Sequence, residues 1–117
     1  MRAIMMPIAL FVCTPAQADV VSATDQGFEI SRSVPIAAAP ARIYAAIGQP
    51  AKWWNKDHTW SGDAQNMTLA LKAGGCFCER LPKDKGMVEH GRVIFAQPGK
   101  MLRLNAALGP LQGEGAT

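Results

Sequence analysis

The chain has 117 residues, 49% of them hydrophobic and 18% charged, a balance that fits one compact globular domain and excludes a disordered or fibrous protein. The formal net charge of +3 is small, and the charged residues are scattered along the chain. This pattern predicts no nucleic-acid partner and no basic membrane-binding patch.

The N-terminus is typical of a secretory signal peptide. A positive start at Arg2 is followed by an apolar run over residues 3–13 and by alanines at 16 and 18, which predicts cleavage after Ala18. The apolar run is too short to span a bilayer. We therefore expect residues 1–18 to be removed, leaving a periplasmic or secreted protein without stable membrane anchoring. The alternative is a buried N-terminal helix.

The next segment predicts one strand and one helix. Residues 19–27 are polar and predict a loose leader, and the domain is expected over 28–117. Alternation of apolar and polar side chains predicts a half-buried strand over 28–37. Pro40 then opens a helix that ends at Gly48. Its apolar stripe consists of Ile43, Tyr44 and Ile47.

The remainder of the chain predicts short strands joined by tight turns. These strands cover residues 67–71, 76–81, 87–96 and 101–107, and the segments between them are rich in Gly, Pro and Lys. Short neighbouring strands separated by such turns favour an antiparallel meander.

Between the helix and the meander lies a segment that we call the tryptophan loop, residues 53–63. It contains all three tryptophans, one of the two histidines and the carboxylates of Asp57 and Asp63. A loop rich in aromatic and polar side chains at a helix-to-strand junction indicates the mouth of a pocket. The two carboxylates and His58 form either a polar rim or ordinary turn contacts.

Cys76 and Cys78 are the cysteines that follow the signal peptide. On a regular strand, residues two apart lie roughly 6.5 to 7 Å from each other, at or beyond the usual separation for a disulfide, so we expect two free thiols. Together with His58 and His90 they offer donors that suit zinc, but their spacing lacks the common zinc pattern. We predict no metal and no cofactor.

Glu79 and His90 are the candidates for chemistry. A hairpin about the turn at 82–86 places Glu79 opposite residue 89 or 90, within reach of the imidazole. Such a pair can move a proton or orient a ligand if it faces a cavity. The alternative is a surface salt bridge, and a slip of one residue in register would separate the two side chains.

The order of several short motifs resembles the START-like (SRPBCC) superfamily. It is most similar to the branch described as activator of Hsp90 ATPase homologue 1-like or polyketide cyclase-like. The resemblance implies an α+β helix-grip fold, in which a curved antiparallel sheet holds a long C-terminal helix around an apolar cavity. No such helix follows residue 107, so we expect a C-terminally truncated domain that self-associates through the uncovered sheet face. The matching residues are 40–46, 53–54, 74–77, 91–93 and 98–102.

Taken together, these features predict an exported domain that binds a small hydrophobic or aromatic ligand in an apolar cavity. One alternative is an enzyme of the cyclase, dehydratase or hydrolase kind that uses Glu79 and His90. Another is an interaction protein similar to activators of Hsp90. The predicted ligand-binding residues are Trp53, Trp54, His58, Trp60, Phe77, Glu79 and His90.

Overall fold

The computed structural model describes residues 18–107 and 109–115. They belong to two compact units that divide between Ala37 and Ala38. Apart from Ala18, the predicted signal peptide lies outside the described residues. Within those residues, no helix has the length and apolar character needed to cross a membrane.

The first unit contains an antiparallel hairpin. Strand β1, Ala18–Thr24, pairs with β2, Gly27–Arg32, so most of the predicted loose leader is a strand. Both strands are exposed along their whole length, and the Phe28 side chain is 76% exposed. The predicted half-burial is wrong, because among residues 18–37 the hairpin has no second layer that covers either of its faces.

The second unit begins with α1, Pro40–Ile47, as predicted. Proline suits the first helical position because the N–H that it lacks would have no partner inside the helix. Tyr44 is buried, while Ile43 and Ile47 on the same stripe are half-buried. A 3₁₀ turn, Pro50–Lys52, leads from the helix into the tryptophan loop.

A four-stranded antiparallel sheet follows the tryptophan loop in the second unit. Its strands follow one another in space in the order of the sequence, so the predicted meander is confirmed. β-Bulges interrupt the regular register twice, between Phe77 and Cys78 and between Val93 and Phe95. The strands are β3, Met67–Leu69; β4, Cys76–Leu81; β5, Gly86–Gln97; and β6, Met101–Ala106.

The buried core of this unit is small. Its most buried apolar side chains are Val93 on the inner strand β5, 1% exposed, and Met67 on the edge strand β3, 2% exposed. Ile94 and Phe95 on β5 are exposed. Self-association through an apolar sheet face stays a prediction.

The predicted α+β helix-grip fold is wrong. The described residues are mostly β, arranged in two antiparallel sheets, and α1 is their one α-helix. A helix-grip fold requires a long helix across the sheet, but the described residues after β6 form a 3₁₀ helix, Gly109–Glu114. Glycine and proline are the weakest α-helix formers, and this segment contains Gly109, Pro110 and Gly113.

Candidate functional site

Two indole groups fix the start of the tryptophan loop. The Trp53 Nε1–H donates to the carbonyl of Ala46 at the end of α1 (3.0 Å), and the Trp54 Nε1–H donates to the carbonyl of His58 (2.9 Å). Buried or half-buried indoles usually find such partners. The first bond ties the loop to the helix, and the second folds the loop back on itself.

Short polar side chains shape the middle of the loop. The Asn55 side chain accepts a hydrogen bond from the Asp57 N–H (3.0 Å) and opens a 3₁₀ turn, Lys56–His58. Asp63 does the same for the next turn by accepting from the Gln65 N–H (2.9 Å). Capping of this kind satisfies N–H groups that have no partner within the turn. Asp63 therefore acts in turn formation, one of the two roles considered for it.

Glu79 on β4 holds the far end of the tryptophan loop. Its side chain is fully buried, with 0% exposure. Oε1 accepts the Ser61 N–H (2.5 Å) and Oε2 accepts the Trp60 N–H (3.1 Å). Oε2 also lies 2.9 Å from Nε2 of His90. One carboxylate thus joins the loop, β4 and β5.

The environment of Glu79 favours its ionised form. Burial, the largest influence, would raise the pKa of this carboxyl group, but hydrogen bonds from Ser61, His90 and the Trp60 backbone outweigh it. The net pKa of Glu79 is lower than its ordinary value of 4.5. A carboxylate that accepts several N–H bonds is stabilised in its charged state, so Glu79 is a fixed acceptor at neutral pH.

The register of β4 and β5 differs from the predicted one. Glu79 pairs with Val88, not with residue 89 or 90. Glu79 and His90 are nevertheless diagonal neighbours on the same side of two antiparallel strands, a separation that long side chains can bridge. Their contact is therefore present, and it is partly buried, in contrast to the alternative of a surface salt bridge.

A cavity of about 690 Å³ opens beside this pair. Its aromatic wall is continuous: the ring centroids of Trp54 and Phe77 are 5.3 Å apart, and those of Phe77 and His90 are 5.4 Å apart. Such distances are typical of packed aromatic pairs. The cavity is lined by Trp54, Asp57, His58, Thr59, Trp60, Phe77, His90, Ala106, Ala107 and Gly109.

The cavity brings together most of the predicted ligand-binding residues: Trp54, His58, Trp60, Phe77 and His90. Trp53 and Glu79 are outside the lining. Trp53 is half exposed, with its indole turned to α1, and Glu79 lies behind His90.

Sequence reasoning missed the part of the wall at the end of β6. Ala106 and Ala107 have small apolar side chains without a functional signature. The signal that could have found Ala106 is the strand order, because in an antiparallel meander β6 runs beside His90 on β5. In the structure Ala106 pairs with Gly91, and the Ala107 N–H donates to the His90 carbonyl (2.9 Å).

The two cysteines form a disulfide within β4, so the prediction of free thiols is wrong. The Cα atoms of Cys76 and Cys78 are 5.4 Å apart, closer than on a regular strand, and the pairing of β4 with β5 shifts between Phe77 and Cys78, where His90 has no partner on β4. The two sulfurs and a carboxylate oxygen of Glu89 lie within 4.8 Å of one another, and this group contains neither histidine. While bonded to each other they offer no thiolate to a metal ion. The absence of a metal stays a prediction.

Compared with known proteins, the chain matches no family model, no curated protein and no solved structure. The resemblance to the START-like superfamily thus stays a prediction from motif order. Function has to be inferred from the cavity itself.

Proposed function

We propose that this chain is an exported protein that binds a small apolar or aromatic ligand in the cavity beside the tryptophan loop. The observation that carries the proposal is the aromatic wall of Trp54, Trp60 and Phe77 around a volume of about 690 Å³. Small-molecule sites usually have volumes of roughly 300 to 1,000 Å³ and mainly apolar walls with a few polar groups.

The attachment of the tryptophan loop supports this proposal. Trp60 is 52% exposed at the cavity, and an exposed indole is a large apolar surface that a ligand can cover. Its backbone is held by Glu79 at 3.1 Å. A contact that is fixed before binding loses little conformational entropy when the ligand enters, which favours affinity.

The disulfide supports export. Disulfides persist in oxidising compartments and are rare in the cytosol. Cys76 and Cys78 are bonded within β4, and the N-terminal residues resemble a signal peptide. Both features favour a periplasmic or secreted protein.

Replacing Trp60 by alanine is expected to weaken ligand binding by about 1 to 2 kcal/mol, because the ligand loses one aromatic contact at the mouth of the cavity. Titration with toluene or para-cresol, followed by tryptophan emission and by calorimetry, measures this loss. The backbone hydrogen bond from residue 60 to Glu79 remains in the variant, so the loop stays attached.

Phe95→Ala is the matched control. It also truncates an exposed aromatic side chain to alanine, but at a position on β5 that is outside the cavity lining, so the affinity should stay within about 0.5 kcal/mol of the original value. Equal losses in the two variants would contradict the assignment of the site. Saturable binding that does not respond to Trp60→Ala would place the ligand elsewhere.

A second candidate function is acid–base catalysis by His90. The 2.9 Å contact with a buried, ionised Glu79 favours it, since a carboxylate that orients an imidazole is a common arrangement for a general base. If the bound ligand is converted, His90→Gln should lower turnover by about 100-fold or more. Product analysis by mass spectrometry measures this, and unchanged turnover would remove His90 from the reaction.

A further inference from the structure

The hydrogen bonds of Glu79 determine which nitrogen of His90 carries the proton. Both carboxylate oxygens already accept backbone N–H groups, from Trp60 and Ser61. An ionised carboxylate has no proton to give, so the 2.9 Å contact requires His90 Nε2 to be the donor. In a neutral imidazole with Nε2 protonated, Nδ1 is an acceptor.

This acceptor belongs to a residue of the cavity wall. His90 lines the cavity, and its side chain retains 12% exposure. Among residues 18–107 and 109–115, Glu79 is the one hydrogen-bond partner of the His90 ring. Nδ1 has no hydrogen-bond partner among these residues and is not fully buried, so a ligand that fills the cavity would displace water from it. Without a donor of its own, that ligand would leave a buried acceptor unpaired, which is unfavourable.

We propose that the cavity selects ligands with a hydroxyl group, phenols or alcohols, whose O–H donates to Nδ1 of His90 while the apolar part packs against Trp54 and Phe77. The proposal rests on the binding function proposed above and specifies its ligand class. Ethers and ketones of the same shape carry only acceptors. An ether or ketone oxygen would face the lone pair of His90 Nδ1 without forming a hydrogen bond. A hydroxyl donates to Nδ1, so hydrogen bonds then connect the ligand to His90 and His90 to Glu79.

Three probes of similar shape separate the hydroxyl preference from simple apolar binding. Para-cresol carries the hydroxyl, its methyl ether carries only an acceptor, and toluene carries neither. We expect para-cresol to bind about tenfold more tightly than its methyl ether, with toluene also binding through the aromatic wall. Calorimetry or equilibrium dialysis measures the three affinities.

The variant His90→Phe tests the role of the imidazole. Phenylalanine keeps an aromatic ring but has no acceptor, so the variant should bind para-cresol and its methyl ether with about equal affinity. Toluene affinity, measured on the same variant, reports whether the cavity is intact. A preference for para-cresol that persists in His90→Phe with toluene binding retained would overturn the proposal.

Nitrogen-15 NMR of the unaltered protein tests the same point without a substitution, which matters if His90→Phe does not fold. The chain has two histidines, so the nitrogen-15 signals of only two imidazole rings have to be assigned. We expect the tautomer with Nε2 protonated and Nδ1 bare. The opposite tautomer, or equal affinities for para-cresol and its ether, would overturn the hydroxyl preference and leave the binding function standing. If none of the three probes binds, the binding function itself is overturned, and the ligand class with it.

Discussion

Replacing Glu79 by alanine is expected to lower the free energy of unfolding by about 3 to 5 kcal/mol. Two backbone N–H groups, from Trp60 and Ser61, would lose their acceptor, and His90 would lose the partner of its Nε2–H. Each polar group that is left buried without a partner costs about 1 to 3 kcal/mol. The loop that forms the cavity mouth would also lose its attachment to β4.

Urea unfolding followed by tryptophan emission measures this loss. Glu89→Ala is the matched control, since it removes a carboxylate of the same sheet whose side chain is 45% exposed and pairs with Arg92 at the surface. Surface pairs contribute about 1 kcal/mol or less. Equal destabilisation in the two variants would show that Glu79 does not hold the loop.

The contribution of Glu79 should also depend on pH. Its folded-state pKa lies below the ordinary value of 4.5, so the folded protein holds fewer protons than the unfolded chain as the pH falls through this range. The stabilisation is therefore complete above that value and is lost at lower pH. The stability difference between the unaltered protein and Glu79→Ala should be smaller at about pH 3 than at about pH 7.

Gly75→Ala is expected to destabilise the protein by about 3 kcal/mol, through a steric clash. A Cβ atom at this position would lie 2.1 Å from the carbonyl oxygen of Ala70 and 2.7 Å from that of Lys72. Both atoms belong to the backbone, so the turn itself would have to move. Val93 prevents this movement, because it accepts the Gly74 N–H and donates to the Gly75 carbonyl, both at 2.8 Å.

Two other glycines provide graded controls for this prediction. Gly74 has open space where a methyl group would lie but a φ of +77°, so Gly74→Ala should cost about 1 to 2 kcal/mol from the backbone alone. Gly113 has open space and no positive φ, and Gly113→Ala should stay within about 0.5 kcal/mol. Thermal or urea unfolding measures the order of stability of the three variants. A Gly75→Ala variant as stable as Gly113→Ala would contradict the predicted clash.

The elements that could be predicted from the sequence are those encoded by neighbouring residues. The helix start follows from Pro40, and the limits of β4 match the predicted 76–81. Turn residues and alternation act over a few positions, so they can be recognised without knowing the fold. The proximity of Glu79 and His90 could also be predicted, because a short hairpin leaves few registers open.

The contacts that complete the site could not be predicted in this way. The donors at Trp60 and Ser61 are backbone N–H groups, which every residue except proline carries, and Glu79 lies 18 and 19 positions away from them. No sequence pattern marks such a pair. The register shift at His90, which has no partner on β4, was hidden for a similar reason. The short Cα separation of Cys76 and Cys78, 5.4 Å, also had no signal in the sequence.

The central position of Glu79 also limits how this protein can diverge in evolution. Side chains that only line the cavity, such as His58, Trp60 and Phe77, can be exchanged one at a time as the ligand changes. A change at position 79 would require a new acceptor for two loop amides in the same step, because both bonds end on this one carboxylate. Ligand specificity can therefore change gradually, through single substitutions in the cavity wall. The hydrogen bonds that attach the loop to Glu79 have to be kept or replaced together.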